Sequence, residues 1–211
     1  NYILQKNERF NFKEDEYAEN LCKEIKENKY IPSPNMAFLI KKNGKEYRMV
    51  EQLHFKDLIV QRYILKIIQG PFERIFRESS IGYRKGFSRE EAIDMIKKII
   101  FEGYRYFIKT DIDNFFPSID LKTLIKLIDF YIPEKDVCFK DTLIKCITAP
   151  YLLNGKKYER EKGLAQGSPL SPILANLYLD YFDNELNKSN VRMIRFGDDF
   201  IIFTKTKDEA K

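Results

Sequence analysis

The pattern of apolar positions along the chain switches between a helical period and a strand period. Tyr17, Leu21 and Ile25 recur every four residues, which predicts a helix over about 14–28. Further helices are predicted over about 55–69, from Ser88 to Phe101, from near Leu121, after Pro133 and up to about Asn187.

Local signals mark the ends of several of these helices. Asn11 with Glu14, and Ser88 with Glu91, have the spacing of a capping box. Gly70-Pro71 is expected to end the second helix, because proline lacks an amide hydrogen and clashes with the preceding turn.

Strand-like runs lie between the helices. Met36–Ile40 and Glu46–Val50 flank Asn43-Gly44, a strong hairpin signal, and a second hairpin is predicted around Asn154-Gly155. Further β-rich runs cover Tyr104–Asp113, Val191–Phe196 and Phe200–Lys205. Helices mixed with antiparallel hairpins predict an α+β fold.

The composition adds little beyond this fold class. The 211 residues are 44% hydrophobic and 33% charged, with a net charge of +5 and a pI of about 8.9. This balance is typical of a folded globular chain, and the charge permits a polyanionic partner without requiring one. No apolar run approaches the roughly 18–20 residues that span a bilayer, so we expect no membrane partner.

Cysteine and histidine usage excludes several mechanisms. The cysteines number three, at 22, 138 and 146, and no two have the spacing of metal ligands. We therefore expect a reduced, cytoplasmic setting. His54 is the only histidine, which argues against Ser-His catalysis and against multi-histidine metal sites.

Two adjacent carboxylates, Asp198 and Asp199, follow Gly197 between two apolar runs. Gly-Asp-Asp also suits an ordinary hairpin turn, so this segment alone leaves both interpretations open. The apolar flanks predict burial close to the pair, and buried carboxylates are costly unless a cation lies beside them.

A second acidic segment strengthens the chemical interpretation. Lys109, Asp111 and Asp113 share one face of a predicted strand, although a polar edge strand would show the same alternation. Its carboxylates and the Asp198–Asp199 pair could form one acidic cluster. Mg²⁺ takes oxygen ligands from carboxylates and phosphates, and two such ions can support in-line phosphoryl transfer without histidine.

The third informative segment is a glycine-rich loop that opens into a helix. It contains Gln166, Gly167 and a Ser-Pro-Leu-Ser-Pro run. A helix cap with proline near its first turn accounts for these residues. A surface of backbone atoms that admits a base pair or a sugar is the alternative interpretation, and this segment taken alone favours the cap.

Taken in order, these segments resemble the reverse transcriptase family. Asp111–Phe116 is similar to its first aspartate block, Gly163–Asp180 to its Gln-Gly-x-Pro-x-Ser-Pro block, and Phe196–Asp199 to its aromatic-x-Asp-Asp block. Phe55–Tyr63 and Ser80–Ser88 resemble a helix and a Gly-aromatic-Arg loop of bacterial group II intron-like enzymes. Five ordered blocks make the resemblance specific.

The resemblance covers roughly 48–203 and implies a right-hand polymerase with an antiparallel palm sheet and packed helices. Residues 1–103 would be mainly fingers, and 104–211 mainly palm with a helical insertion near 121–150. The chain would end before the later palm block and the thumb.

The resemblance also implies the metal site. Asp111 and Asp198 would hold two Mg²⁺ ions, with Mn²⁺ as a substitute. Asp199 would assist, and the carbonyl of Ile112 would contribute. Asp113 is the rival of Asp111 as ligand.

Asp111 is preferred to Asp113 because Phe116 then falls five residues on, where the family places its sugar-sensing ring. Gln166 and Gly167 would line the nucleotide and template pocket. The triphosphate would be reached by a basic residue of the Ser80–Ser88 loop, Arg84 or Lys85.

The implied activity is RNA-templated DNA synthesis from dNTPs on a DNA or RNA primer. A fused or associated maturase domain or CRISPR spacer-integrase domain is the implied protein partner. Three positions depart from the usual family pattern: Gly197 replaces Ala or Met, Phe196 replaces Tyr, and Ala165 replaces Pro.

Two alternatives stay open. An RNA-dependent RNA polymerase also uses Gly-Asp-Asp, but the ring of Phe116 would clash with a 2′-hydroxyl and favour dNTPs. A palm-fold scaffold that binds nucleic acid without catalysis would not need the carboxylates.

Overall fold

The chain folds into mixed helices and strands whose order agrees with the sequence prediction. The computed structural model describes residues 14–42, 44 and 46–211. Its helices are α1 (Glu14–Lys26), α2 (Phe55–Glu73), α3 (Arg89–Phe101), α4 (Phe115–Ser118), α5 (Leu121–Tyr131), α6 (Val137–Ile147) and α7 (Ser171–Asn187). Its strands are β1 (Asn35–Lys41), β2 (Tyr47–Gln52), β3 (Tyr106–Asp111), β4 (Tyr151–Leu153), β5 (Lys156–Tyr158), β6 (Arg192–Phe196) and β7 (Asp199–Thr204).

The strands form two sheets. The first has the order β2-β1-β4-β5, and its pairs are antiparallel except for a short parallel contact between β1 and β4. The second has the order β3-β7-β6 and is antiparallel throughout. The predicted α+β class with antiparallel sheets is confirmed at this level.

The main core lies among the helices. Leu121, Leu124 and Ile128 place one apolar face of α5 in the interior, as their three- and four-residue spacing requires. Helix α7 is apolar over most of its surface and packs against both α5 and β6. Because α7 is enclosed in this way, it gives the three-stranded sheet a rigid support.

A smaller core lies between α3 and the three-stranded sheet. It contains Ile81, Ile99, Tyr104, Ile194 and Phe203. It fixes the segment that links α2 to α3 against β6, and this segment reaches the acidic turn described below.

Helix boundaries confirm the predicted capping box at Ser88 and correct the predicted end of α2. The Ser88 hydroxyl accepts from the Glu91 backbone N–H, and the Glu91 carboxylate accepts from the Ser88 N–H, which completes the capping box. Pro71, in contrast, does not end α2, which continues to Glu73. A proline in the last turn costs few helical bonds, and Phe72 is buried in the core.

The predicted cap formed by Asn11 with Glu14 lies outside the described residues, as does Asn43 of the first hairpin. At the second hairpin, Asn154 and Gly155 both have positive φ, as a two-residue turn of this kind requires. Among the described residues, no helix combines the length and hydropathy needed to cross a bilayer.

Candidate active site

The Gly197-Asp198 turn joins β6 to β7 and carries the acidic pair. Phe196 and Asp199 form the last register pair of the hairpin, so Gly197 and Asp198 are the two turn residues. Gly197 has φ +68°, in the left-handed region that such turns favour. Asp198 is half-buried and Asp199 is exposed at the end of the apolar strands.

Strand β3 brings a further carboxylate to this turn. Asp111 lies directly opposite Asp199 in the antiparallel register of β3 and β7. Residues that are directly opposite project from the same face of a sheet. The Ile112 N–H donates to the Asp198 carbonyl at 3.2 Å, so the chain beyond Asp111 stays beside the turn. The sheet therefore brings together the two acidic segments, as predicted.

These residues line one cleft with a volume of about 740 Å³. Its acidic lining consists of four aspartates and of Glu46 on the β1–β2 hairpin; the aspartates are Asp111, Asp113, Asp198 and Asp199. Residues predicted for nucleotide binding also line it, namely Phe116, Gln166 and Gly167. Residues 111, 166 and 198 lie far apart in sequence, and the fold gathers them at one surface.

The four aspartates of the cleft form no ion pair with any residue that the structure describes. Asp113 accepts one hydrogen bond, from Asn114 Nδ2 at 3.2 Å. Within the described part of the chain, no three side chains converge closely enough to form a metal-binding group. Uncompensated carboxylates that share a cleft nevertheless match the oxygen donors that divalent cations prefer.

Phe116 is placed by the tight turn that follows β3. Asn114 has φ +49°, and this turn starts the short helix α4, in which Phe115 is buried and Phe116 faces the cleft. The Phe115 ring lies 5.7 Å from the Phe116 ring, centroid to centroid. The Leu164 N–H donates to the Phe116 carbonyl at 2.9 Å, so the glycine-rich loop is attached to the backbone of Phe116.

Backbone contact between the loop and β2 fixes Gln166 and Gly167. The Glu51 N–H donates to the Gln166 carbonyl at 2.7 Å. A Cβ on Gly167 would lie 2.1 Å from the Glu51 carbonyl oxygen, so only glycine allows this approach. The Glu51 carboxylate is buried in an ion pair with Arg160 and also accepts from Asn35 Nδ2.

A buried arginine stabilises the acidic turn through a hydrogen bond to the turn backbone. Arg195 has no exposed surface, and its guanidinium pairs with the Asp183 carboxylate. It also donates to the Gly197 carbonyl at 2.8 Å, to Asn176 Oδ1 at 2.9 Å and to Ser80 Oγ at 2.7 Å. The sequence did not reveal this network, because Arg195 stood in a run that predicted only an apolar strand.

Arg84 and Lys85 are not among the residues that line the cleft. The Arg84 side chain is 7% exposed and pairs with Glu73 at 2.7 Å. Its other N–H groups donate to the carbonyls of Arg77, Ser80 and Glu73. These contacts hold Arg84 within the protein, so its predicted contact with the triphosphate stays a prediction.

The basic residues of the cleft come instead from the β1–β2 hairpin. Arg48 and Lys42 line it, and Lys42 also lies 3.7 Å from Glu46. Sequence reasoning missed both residues, because a basic residue on a hairpin is usually solvated. Their only sequence signal was the position of this hairpin, immediately before the Phe55–Tyr63 segment that resembles a helix of the family.

The fold and the acidic cleft agree with the predicted family, and comparison with known proteins identifies it. Residues 40–211 match the family model "Reverse transcriptase (RNA-dependent DNA polymerase)". The chain therefore belongs to the reverse transcriptase family, and the resemblance predicted from five sequence blocks is confirmed.

Group II intron proteins are among the relatives. Group II intron-encoded protein LtrA of Lactococcus lactis subsp. cremoris is 34% identical over 170 residues, which cover 80% of this chain and 28% of LtrA. The putative COX1/OXI3 intron 2 protein of Saccharomyces cerevisiae is 30% identical over 184 residues, covering 83% of this chain and 21% of that protein. The chain thus spans about a quarter of these relatives.

Among solved structures, a chain of the partial Cas6-RT-Cas1--Cas2 complex is 25% identical and has a TM-score of 0.51. The match covers 99% of this chain and 36% of that chain. The group II intron-like and CRISPR-associated character that the sequence suggested is supported by these two kinds of relative.

Proposed function

We propose that this chain catalyses RNA-templated DNA synthesis, adding dNTPs to the 3′-hydroxyl of a DNA or RNA primer. The observation that carries the proposal is the cleft itself. Asp111, Asp198 and Asp199 share it with the Phe116 ring, and these carboxylates have no cationic partner among the described residues.

Asp111 and Asp198 would hold Mg²⁺, with Asp199 and the Ile112 carbonyl completing the oxygen donor set. Two bound ions would activate the primer hydroxyl and stabilise the leaving pyrophosphate, with Mn²⁺ as a substitute. The unpaired carboxylates fit this role, because oxygen donors suit hard cations. Asp113 lines the same cleft and is the alternative ligand.

The protein's own groups would bind and orient the nucleotide. Arg48 is exposed in the cleft, and its guanidinium can bind phosphate oxygens in a bidentate manner. Lys42 would add a second positive charge. Gln166 and Gly167 present backbone edges that allow a base pair to approach closely. Arg84 and Lys85 stay candidates for the triphosphate only if the Ser80–Ser88 loop moves.

The Phe116 ring would select the sugar. It projects from α4 toward the cleft, where a 2′-hydroxyl on the incoming nucleotide would collide with it. This reasoning favours a reverse transcriptase over an RNA-dependent RNA polymerase, which must accommodate that hydroxyl.

The architecture would be that of a right-hand polymerase. Strands β1 and β2 with α1–α3 would form most of the fingers, within residues 1–103. The three-stranded sheet would form the palm, within 104–211, with α5 and α6 as its helical insertion. An associated maturase or CRISPR integrase domain is the proposed partner, since the relatives include an intron-encoded protein and a Cas6-RT-Cas1--Cas2 complex.

The proposal is tested by primer extension on an RNA template with Mg²⁺, comparing dNTPs with rNTPs for the wild type and for Phe116→Val. We expect the wild type to extend with dNTPs and to reject rNTPs, and the variant to accept rNTPs because the steric barrier is smaller. Equal use of both nucleotides by the wild type would promote the RNA polymerase alternative.

A further inference from the structure

Tyr83 adopts an unusual backbone conformation beside the acidic turn. Its φ is +63°, in the left-handed region that residues with a bulky side chain rarely occupy. Such a conformation persists only where the surroundings enforce it, and it is found preferentially at functional sites. Tyr83 also lines the cleft.

The preceding residue shows how this conformation is enforced. Gly82 lies so close to the turn that a Cβ on it would lie 2.4 Å from the Gly197 nitrogen. Asn176 Nδ2 donates to the Gly82 carbonyl at 2.8 Å, and the Gly82 N–H points to the Arg195 carbonyl at 3.4 Å. The backbone entering Tyr83 is therefore fixed to β6 and α7.

The Tyr83 ring lies between the Phe116 ring and the Phe196 ring in the cleft. It lies 6.4 Å from the Phe116 ring in an edge-to-face arrangement, and 5.8 Å from the Phe196 ring, between centroids. Phe116 is the proposed sugar gate, and Phe196 immediately precedes the turn that carries Asp198. One ring thus contacts both elements.

The same ring explains why glycine stands at position 197. A Cβ there would lie 2.9 Å from Tyr83 Cε2 and 3.0 Å from its hydroxyl oxygen. The usual family residues at this position, Ala and Met, carry that Cβ. In this chain the space is filled by the tyrosine ring.

The hydroxyl of Tyr83 contributes no charge to the acidic cluster. Burial and the nearby Asp198 carboxylate raise its pKa above the ordinary value for tyrosine. The neutral ring therefore acts through its packing.

We propose that Tyr83 is a specificity-determining residue, whose ring holds the Phe116 gate in position against the Gly197-Asp198 turn. This inference rests on the proposed function, because it concerns discrimination between dNTPs and rNTPs. Tyr83 would act through Phe116, so it is a positioning residue with a measurable effect on sugar selection.

The first test compares Tyr83→Phe and Tyr83→Leu in the full-length protein, by the ratio of kcat/KM for a dNTP to that for the matching rNTP. We expect Tyr83→Leu to lower the ratio by roughly threefold to tenfold, the range that one aromatic pair supports. Tyr83→Phe keeps the ring and should keep the ratio. Tyr181→Leu, at a side chain 71% exposed on α7, is the matched control.

A double variant shows whether Tyr83 works through the gate. In a Phe116→Val background, Tyr83→Leu should change the ratio little, because the gate that it positions is already gone. Independent, multiplicative effects, or an equal loss in Tyr83→Phe, would overturn the inference. Competition between dNTP and rNTP for binding to a chain-terminated primer measures the ratio of their dissociation constants, which is the part of the discrimination made before chemistry.

A second test does not depend on polymerisation. Gly197→Ala should lower the Tm, because its Cβ overlaps the Tyr83 ring and its φ is positive. In a Tyr83→Leu background the loss should shrink, since the overlap is relieved. An unchanged loss would contradict the packing, whereas a wild type without DNA synthesis that still shows this coupling would count only against the proposed function.

Discussion

At the scale of single residues, Arg195 shows how one side chain can organise a site. Its guanidinium has five N–H groups, and all five donate: two to Asp183, two to Asn176 and the Gly197 carbonyl, and one to Ser80. A lysine offers only three donors from a single point. The arginine thus links α7, β6 and the loop before α3 beneath the acidic turn.

The two carboxylates of α7 beside this arginine differ in their surroundings. Asp183 is paired, whereas Asp180 Oδ1 is buried without a hydrogen-bond partner among the described residues. Burial, followed by the neighbouring Asp183 charge, raises the pKa of Asp180. A raised folded-state pKa stabilises the fold at low pH, and that contribution is lost as pH rises through the folded value.

We therefore predict that Asp180→Asn increases the free energy of unfolding at pH 7 and changes it little near pH 4, because the amide removes a buried charge. Asp183→Asn is the matched substitution on the same helix. It should cost about 3–5 kcal/mol at pH 7, since Arg195 loses its buried partner. Urea denaturation at both pH values measures the two effects. An equal gain in the free energy of unfolding for Asp180→Asn at pH 4 and pH 7 would refute the raised pKa of Asp180.

Sequence reasoning anticipated the residues that line the cleft better than the residues that support them. Asp111, Asp198 and Phe116 stood out because they match the family's blocks in residue type, spacing and order. Arg195 and Asp183 did not, because a charged residue inside an apolar run has no sequence signature for its partner. Arg48 was missed for a related reason, since the sequence does not show that the β1–β2 hairpin lies at the same cleft as the Gly197-Asp198 turn.

At the scale of elements, the approach of β2 to the glycine-rich loop fixes one wall of the cleft. It depends on Gly167, which has φ +129° and no space for a Cβ beside the Glu51 carbonyl. The loop also contacts α2, because Ser168 Oγ donates to Gln61 Oε1 at 2.6 Å. Both contacts join segments more than 100 residues apart.

We predict that Gly167→Ala destabilises the fold by at least about 1–3 kcal/mol, because the methyl group overlaps backbone and must push β2 away. Gly70→Ala is the matched control. Gly70 lies inside α2 with open space around its Cα, so alanine there should add about 0.5–1 kcal/mol through helix propensity. Chemical denaturation of both variants separates the predictions, and similar changes in the two would contradict the contact.

The boundaries of elements followed local rules wherever no distant residue intervened. The Ser88–Glu91 cap and the Asn154-Gly155 turn were predictable because each is complete within four residues. The extension of α2 past Pro71 was not, since it depends on burial of Phe72 against Phe76 and Tyr131. The parallel contact of β1 with β4 was equally out of reach, because it pairs segments separated by most of the chain.

At the scale of the whole molecule, charge is distributed in a way that suits a polyanion held near metal ions. The net charge is +5, while the cleft combines four aspartates and Glu46 with Arg48 and Lys42. Basic residues would hold the phosphate backbone, and the acidic turn would bind cations instead.

Binding of an RNA template annealed to a primer should therefore weaken as salt rises, because each phosphate contact releases a counterion. Fluorescence anisotropy at roughly 50 to 200 mM salt measures the slope of the logarithm of the binding constant against the logarithm of the salt concentration. Such contacts lose much of their affinity over this range. Arg48→Met should make the slope shallower by about one unit if Arg48 contacts template-primer backbone, and should leave it unchanged if it binds only the nucleotide. A wild-type affinity indifferent to salt would contradict a cleft that follows the backbone.

Primer extension by carboxylate variants shows whether the cleft carboxylates perform catalysis. Asp111→Asn and Asp198→Asn would be assayed with dNTPs, an RNA template and Mg²⁺ in the full-length protein. Asp208→Asn is the control, at a side chain 91% exposed. We predict that both cleft variants lose extension while still binding template-primer, and that the control extends normally. Extension that survives in the cleft variants, or a wild type that binds template-primer without extending it, would contradict a catalytic role for these carboxylates.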